Sequence, residues 1–400
     1  IATGKTVKSS IKIGFQKALS AILDGNITTL IAAAVLGFMG SGTVKGFAQT
    51  LALGIVVSMF TALVITRLIL NAFYAVGMQN EKLYGRAKEK KPVNFLSKKA
   101  VFFTISIVLI VAGFVFMGVN KGRTGQSLNY SLEFIGGTST NVTFNENMSI
   151  EDIDANVVPM IEKITGDGNV QTQKVQGTNE VIFKTRTLDV TEREELNNTL
   201  AESFGVDQEK ITAETISSTI SGEMRREAVV AVVIATVCML IYIWFRFKDI
   251  RFGASAVAAL IHDVLVVLAF YAAVRVSVGS TFIACMLTIV GYSINATIVI
   301  FDRIRENINL EGKSELNGLV NKSITQTLSR SIFTSLTTFI MVAVLYIMGV
   351  SSIREFALPL MVGIVCGTYS SVCITGALWF VLRTRIAGKS KNTAVKVKSR

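Results

Sequence analysis

The sequence predicts a polytopic α-helical membrane protein carrying one extracytoplasmic α+β domain of ferredoxin-like order. Three observations predict it. Eight apolar stretches are each about long enough to cross a bilayer, which takes roughly 20 residues. The excess basic residues sit in alternate loops along the chain. The beginning of the chain also repeats near its end: shifted by 309 positions, Leu19–Thr66 falls on Leu328–Thr375 without a gap, with 18 of 48 positions identical.

Composition agrees with this class. Half of the residues are hydrophobic and only 17% are charged, against about 25% in a soluble domain. The apolar stretches run over 19–40, 47–66, 100–119, 228–245, 252–274, 278–301, 332–349 and 356–382. Cys238, Cys285, Cys366 and Cys373 all fall inside these spans, at no metal-ligand spacing from the single histidine, His262. They read as small apolar residues, and no metal or disulfide role is assigned to them.

The net charge of +12 conceals an asymmetry. Residues 120–227 hold 18 of the 28 acidic groups but only 10 of the 40 basic ones, a net of −8, which leaves +20 for the rest. The excess Lys and Arg lie before span one, between spans two and three, four and five, and six and seven, and in the tail. The positive-inside rule therefore expects both ends of the chain in the cytoplasm and 120–227 outside. Membrane topology accounts for the basic tail, so nucleic acid is not expected as a partner.

In order along the chain, residues 1–76 read as two spans of an incomplete half, opened by an amphipathic helix over 1–18 and joined by a tight turn at Gly40-Ser41-Gly42. Because the first copy of the repeat lacks what precedes the second, the chain reads as the C-terminal part of a longer protein. Residues 77–98 read as a Lys-rich cytoplasmic linker and 99–119 as the next span. Residues 120–227 read as the outer domain: a strand at 139–144, a helix capped by Ser149 and running to about Ile164, a hairpin of 170–175 with 180–185, a helix opened by Thr191 to about Ser203, and a strand at 210–216. That β-α-β-β-α-β order is the split ferredoxin-like arrangement. Residues 228–382 read as a five-span bundle, and 383–400 as a basic cytoplasmic tail.

Gly4-Lys5-Thr6 and Gly312-Lys313-Ser314 resemble the end of a phosphate-binding loop. Neither follows a strand or an upstream glycine, so both read as turns rather than nucleotide sites. Ionisable groups within the spans carry more information. Asp263 lies in the middle of span five, where a carboxylate costs about 2.5–3.5 kcal/mol on insertion scales. It is expected to face protein or water, either as a group that loads and releases a proton or as a structural hydrogen-bond acceptor. His262 is adjacent, about 100° round the helix, so the two side chains are not expected to share a face; a neutral packing role suits it equally. Under the repeat, Arg330 falls on Ala21 and Phe333 on Asp24. Arg330 and Asp24 are therefore expected at similar depth on pseudo-symmetric helices, placed to pair across the repeat axis; snorkelling at the cytoplasmic rim is the alternative. Span six carries a polar notch, Tyr292-Ser293-Ile294-Asn295-Ala296-Thr297, in which Asn295 and Thr297 serve either an ion pathway or helix–helix adhesion. No nucleophile–base pair is visible, so no enzyme activity is expected.

Several motifs resemble the SecD/SecF protein-export family of the resistance-nodulation-division (RND) superfamily. They are Leu287–Asn295 with Ile300–Asn307, Ala259-Leu260-Ile261-His262-Asp263, and Glu133-Phe134-Ile135-Gly136-Gly137-Thr138 on the SecF side. Asp24–Thr29 and Gly42–Ala48 resemble the end of SecD. The resemblance spans essentially all 400 residues and is that of a SecD tail followed by a complete SecF half, as in a fused SecDF. It implies an RND/SecDF-like helix bundle in the bacterial cytoplasmic membrane, without a cofactor. It also implies an accessory of the Sec translocase, with the SecYEG translocon, SecA, other Sec accessory membrane proteins and the unfolded preprotein as partners, driven by the proton-motive force. Asp263 and Arg330 match family positions, as do Gly136 and Gly137, while Glu133 stands for a common Asp. The family pattern has Asp directly after the Asn of span six, where this chain has Ala296. Proton coupling through Asp263, coupling to another cation, coupling through the half before Ile1, and a non-motor scaffold all remain open. An RND exporter of small molecules or lipids is a more distant alternative, since such exporters carry larger outer domains.

Overall fold

The computed structural model describes residues 1, 4–39, 42–84, 91–168, 170–175, 177–247, 249–311, 315–349 and 351–384. The predicted turn at residues 40–41, the middle of the Lys-rich linker, Gly312-Lys313-Ser314 and the tail from residue 385 onward lie outside the described residues. The chain divides into two units, one of residues 1–129, 230–276 and 281–400 and one of 130–229 with 277–280.

The first unit is built from helices. Among the described residues of the chain, eight helices are long and apolar enough to cross a membrane: span one (Val7–Met39), span two (Lys45–Ala75), span three (Leu96–Thr124), span four (Ser218–Phe247), span five (Ile250–Val274), span six (Ser280–Glu311), span seven (Leu316–Met348) and span eight (Ile353–Thr384). The segment expected as an amphipathic helix leading into span one is continuous with it, one helix from Val7 to Met39. Nothing after Val7 breaks the helix, and Thr6 Oγ1 accepts the backbone N–H of Ser9 at its entrance. Gly4-Lys5-Thr6 is thus the turn into that helix, with Gly4 at a φ of +77°.

Spans meet where one side has no side chain, as expected where close van der Waals approach holds helices together in lipid. A Cβ on Gly25 of span one would stand 2.3 Å from Asn295 Oδ1 of span six, and one on Gly363 of span eight 2.3 Å from Ile289 Cδ1. Thr29 Oγ1 donates to the Gly291 carbonyl at 3.4 Å across the first of these contacts. The end of the linker is pinned to span seven. Val93 N–H donates to Thr325 Oγ1, and the N–H groups of Phe95 and Leu96 both donate to Asn321 Oδ1.

Spans two and eight each contain one π-helical turn, at Thr61–Ile65 and Ser370–Thr375. Such turns are rare, yet these two coincide under the shift of 309 residues. In both, a threonine hydroxyl donates to the carbonyl five residues back: Thr66 to Thr61 and Thr375 to Ser370, each at 3.0 Å. Phe47 and its repeat equivalent Phe356 stack edge to face with centroids 5.2 Å apart. Equivalent residues meet each other only at a pseudo-two-fold axis, so the repeat is a real internal symmetry.

The second unit holds a four-stranded antiparallel sheet: β1 (Gly137–Thr143), β2 (Gln171–Lys174), β3 (Glu180–Thr185) and β4 (Ile211–Ile216). β1 pairs with β3 and β4, and β2 pairs with β3, giving the order β2-β3-β1-β4. This is the split ferredoxin-like topology. The first helical segment is broken into α1 (Ile150–Asn156) and α2 (Val158–Thr165) rather than continuous. Pro159 has no N–H to continue the ladder. The next helix, α3 (Val190–Phe204), is capped by Asp189 rather than Thr191, with Glu192 closing a capping box. One core joins sheet and helices through Val142, Phe183, Ile153, Leu196 and Leu200, none more than 1% exposed.

Candidate functional site

Asp263 is wholly buried, and the bundle surrounds it with donors from two other spans. Ser293 Oγ of span six donates to Oδ2 at 2.5 Å, and Ser370 Oγ of span eight donates to the same oxygen at 2.8 Å. Cys366 Sγ donates to Oδ1 at 3.3 Å. His262 Nδ1 also lies 2.9 Å from Oδ1, which corrects the expectation that the two side chains diverge. Backbone period sets where Cβ points, but a histidine ring extends beyond it and swings back over its neighbour. The π-turn matters here, because it presents consecutive serines inward. Ser370 takes the carboxylate, while Ser371 reaches the Ser293 carbonyl and stands 3.2 Å from Thr297 Oγ1.

Asp263 and His262 were legible as candidates; Ser370, Ser371 and Cys366 were not. The signal for the serines is the polar run Thr368-Tyr369-Ser370-Ser371 inside a largely apolar span. Cys366 is more than an apolar filler, since its thiol meets the carboxylate. His262, Asp263 and Cys366 also bring one possible ligand atom each within 4.8 Å of one another. Both carboxylate oxygens already accept hydroxyl or thiol hydrogen bonds, so hydrogen bonding alone accounts for the cluster.

Asp24 and Arg330 do not pair. Asp24 accepts from Tyr242 OH and from Arg246 Nε of span four, both at 2.7 Å, and Arg246 reaches Asp302 at 3.1 Å. Equivalent faces of symmetry-related helices look toward each other only beside the axis; away from it, each faces its own neighbours. Arg330 instead lines a cavity of about 50 Å³ between spans six and seven, with Tyr292, Asn295, Ala296, Val299, Ser331, Thr334 and Ser335. The two notch residues therefore separate. Asn295 lies against Gly25 and this cavity, whereas Thr297 turns to Ser371.

Within the sheet unit, the Glu133–Gly137 motif is a turn and a cap. Gly136 and Gly137 have φ of +76° and +120°, and a Cβ on Gly137 would stand 2.2 Å from the Thr185 carbonyl. Only glycine meets both demands. Glu133 Oε2 accepts the N–H of Ser280, the first residue of the helix that runs to Glu311, at 2.7 Å. A carboxylate at that position satisfies an N–H left without an intrahelical partner.

Comparison with known proteins places this architecture. The family model for protein export membrane protein SecD/SecF, C-terminal, matches residues 196–385. The chain is 35% identical over 378 residues to the protein translocase subunit SecDF of Brucella abortus, covering 94% of this chain and 49% of that protein. It is 32% identical over 302 residues to the protein translocase subunit SecF of Desulfurispirillum indicum, covering 73% of this chain and 92% of that protein. The crystal structure of SecDF, a translocon-associated membrane protein from Thermus thermophilus, superposes with a TM-score of 0.84 at 34% identity, over 96% of this chain and 51% of that one. The chain thus spans about half the length of the SecDF relatives it matches. On sequence, fold and internal symmetry together, the chain belongs to the SecD/SecF family of protein-export membrane proteins.

Proposed function

We propose that this chain forms the SecF-side bundle of a Sec translocase accessory that uses the proton-motive force to promote protein export. The observation that carries this reading is Asp263: a carboxylate with no exposure, held by hydroxyls from spans six and eight. When ionised, it draws Ser293 and Ser370 together on one oxygen. Protonation removes the charge that makes those bonds strong, so loading a proton loosens the grip of span five on its two neighbours. A proton that crosses thereby changes helix packing, and the sheet domain is the part that moves in response. In this reading the membrane is the bacterial cytoplasmic membrane, both ends of the chain lie in the cytoplasm, and residues 120–227 lie outside. There the domain contacts the emerging unfolded preprotein, with SecYEG, SecA and other Sec accessory membrane proteins as partners.

The test is late translocation into inverted vesicles with and without a proton gradient. The expected result is a gain in export that disappears when the gradient is collapsed and in Asp263→Asn vesicles. Equal export under both conditions rejects the motor. A second reading, a scaffold that stabilises the translocon, is favoured by Ala296, because the notch of span six carries no carboxylate. It expects wild-type export from Asp263→Asn and Arg330→Ala, and loss only on deletion of the sheet domain or of whole spans.

A further inference from the structure

The cavity between spans six and seven has the chemistry of a small anion site. Arg330 lines it, and no hydrogen bond or ion pair joins Arg330 to any described residue. No carboxylate is among the lining residues. Two hydroxyls of the lining are buried without a partner: Ser331 Oγ, on a residue only 4% exposed, and Tyr292 OH. Serine in a helix ordinarily finds the carbonyl one turn back, and a buried hydroxyl left unpaired is costly. Here two of them belong to residues that line one space with Arg330, and Asn295 of span six and Thr334 and Ser335 of span seven line it too. Ala296, with its small side chain, is also among the lining residues. At about 50 Å³, the space is of a size for a small ion.

We propose that this cavity binds a small monovalent anion, chloride in the first instance, as the counter-charge of Arg330, with Ser331 and Tyr292 donating to it. A mobile anion then takes the place in this chain that a fixed side-chain carboxylate at position 296 would fill. The inference rests on the cavity alone and not on the motor reading above, so its test is a binding measurement independent of export.

The whole protein, purified in detergent, is melted in sodium chloride, sodium bromide, sodium gluconate or sodium phosphate at equal ionic strength. Chloride and bromide are expected to raise the midpoint by about 2–4 °C in a saturable way, while phosphate behaves as gluconate. Arg330→Gln should remove the chloride response. Ala296→Asp, which places a tethered carboxylate in the cavity, should melt alike in chloride and gluconate. Crystals soaked in bromide should show anomalous density beside Arg330. Identical melting of the wild-type protein in chloride and gluconate overturns the proposal, as does a chloride response that survives in Arg330→Gln. A shift with phosphate as large as with chloride overturns the assignment to a small anion.

Discussion

Spans two and eight are copies of one another, yet they live in different surroundings. Both have the π-turn and the same threonine hydrogen bond across it. Most of the apolar stretch of span eight is buried, and almost none of that of span two. Ser370 Oγ donates to a buried carboxylate, whereas the hydroxyl of its equivalent, the exposed Thr61, donates to the Val57 carbonyl of its own helix. Gly363 has Ile289 against it, and Gly54 has nothing within 4 Å. The difference teaches that the π-turn belongs to the local sequence. It forms with or without neighbours, and becomes a binding element only where spans five and six bring groups to it.

Substitutions test that contrast, and the largest effect is expected at the group that distinguishes the two sites. Asp263→Ala strips the acceptor from Ser293, Ser370 and Cys366 and should cost about 2–4 kcal/mol, read as a lowered thermal midpoint in detergent. A loss under 1 kcal/mol would mean that the hydroxyls repartner easily and that the carboxylate does not organise span eight. Ser370→Ala removes one hydrogen bond to a charged group and should cost about 1.5–3 kcal/mol. Thr61→Ala should stay within about 0.5 kcal/mol, and equal costs in the two copies would erase the contrast.

The glycines give the next test. Gly363→Ala forces Ile289 aside and should cost about 1–3 kcal/mol. Gly54→Ala in an open helix should stabilise by about 0.5–1 kcal/mol. A penalty at Gly54 comparable to that at Gly363 would show that something packs on that face too. Thr375→Val, at a fully buried position, should cost about 1 kcal/mol, and exposed Thr66→Val a few tenths.

The smallest effect lies in the sheet domain, where a carboxylate is held by a cation in water. Glu192 hydrogen-bonds Arg186, which keeps its carboxyl below the usual range. A depressed folded pKa stabilises above the unfolded value, about 4.3, and the contribution is lost as pH falls through the folded pKa. Thermal midpoints followed from pH 6 to pH 3 should show a shallow acid-side decline that flattens in Glu192→Gln. A rising midpoint on acidification would contradict the sign.

Much of the fold was legible in the sequence because its signals are local. Apolar length marks the spans, Ser149 marks a helix start, and alternation over 139–144 marks a strand. The repeat was visible as identities such as Phe47 on Phe356 and Thr66 on Thr375, without geometry. The misreadings were also local in origin. Pro159 divides a helix that periodicity alone would run through, and Asp189 outcompetes Thr191 as a cap because Glu192 answers it.

By itself, the sequence determined which segments are helices or strands, that one bundle echoes another, and that Asp263 needs company in an apolar span. Those properties depend on hydrophobic period, on backbone conformation and on the cost of burying charge, all of which act along the chain. Only the tertiary structure decided who the company is. Ser293 and Ser370 stand 30 and 107 residues from Asp263, Asp24 takes Arg246 instead of Arg330, and Arg330 is left facing a cavity beside Ala296. Side-chain partners are chosen by how helices pack and cross, and no period in the sequence encodes the crossing.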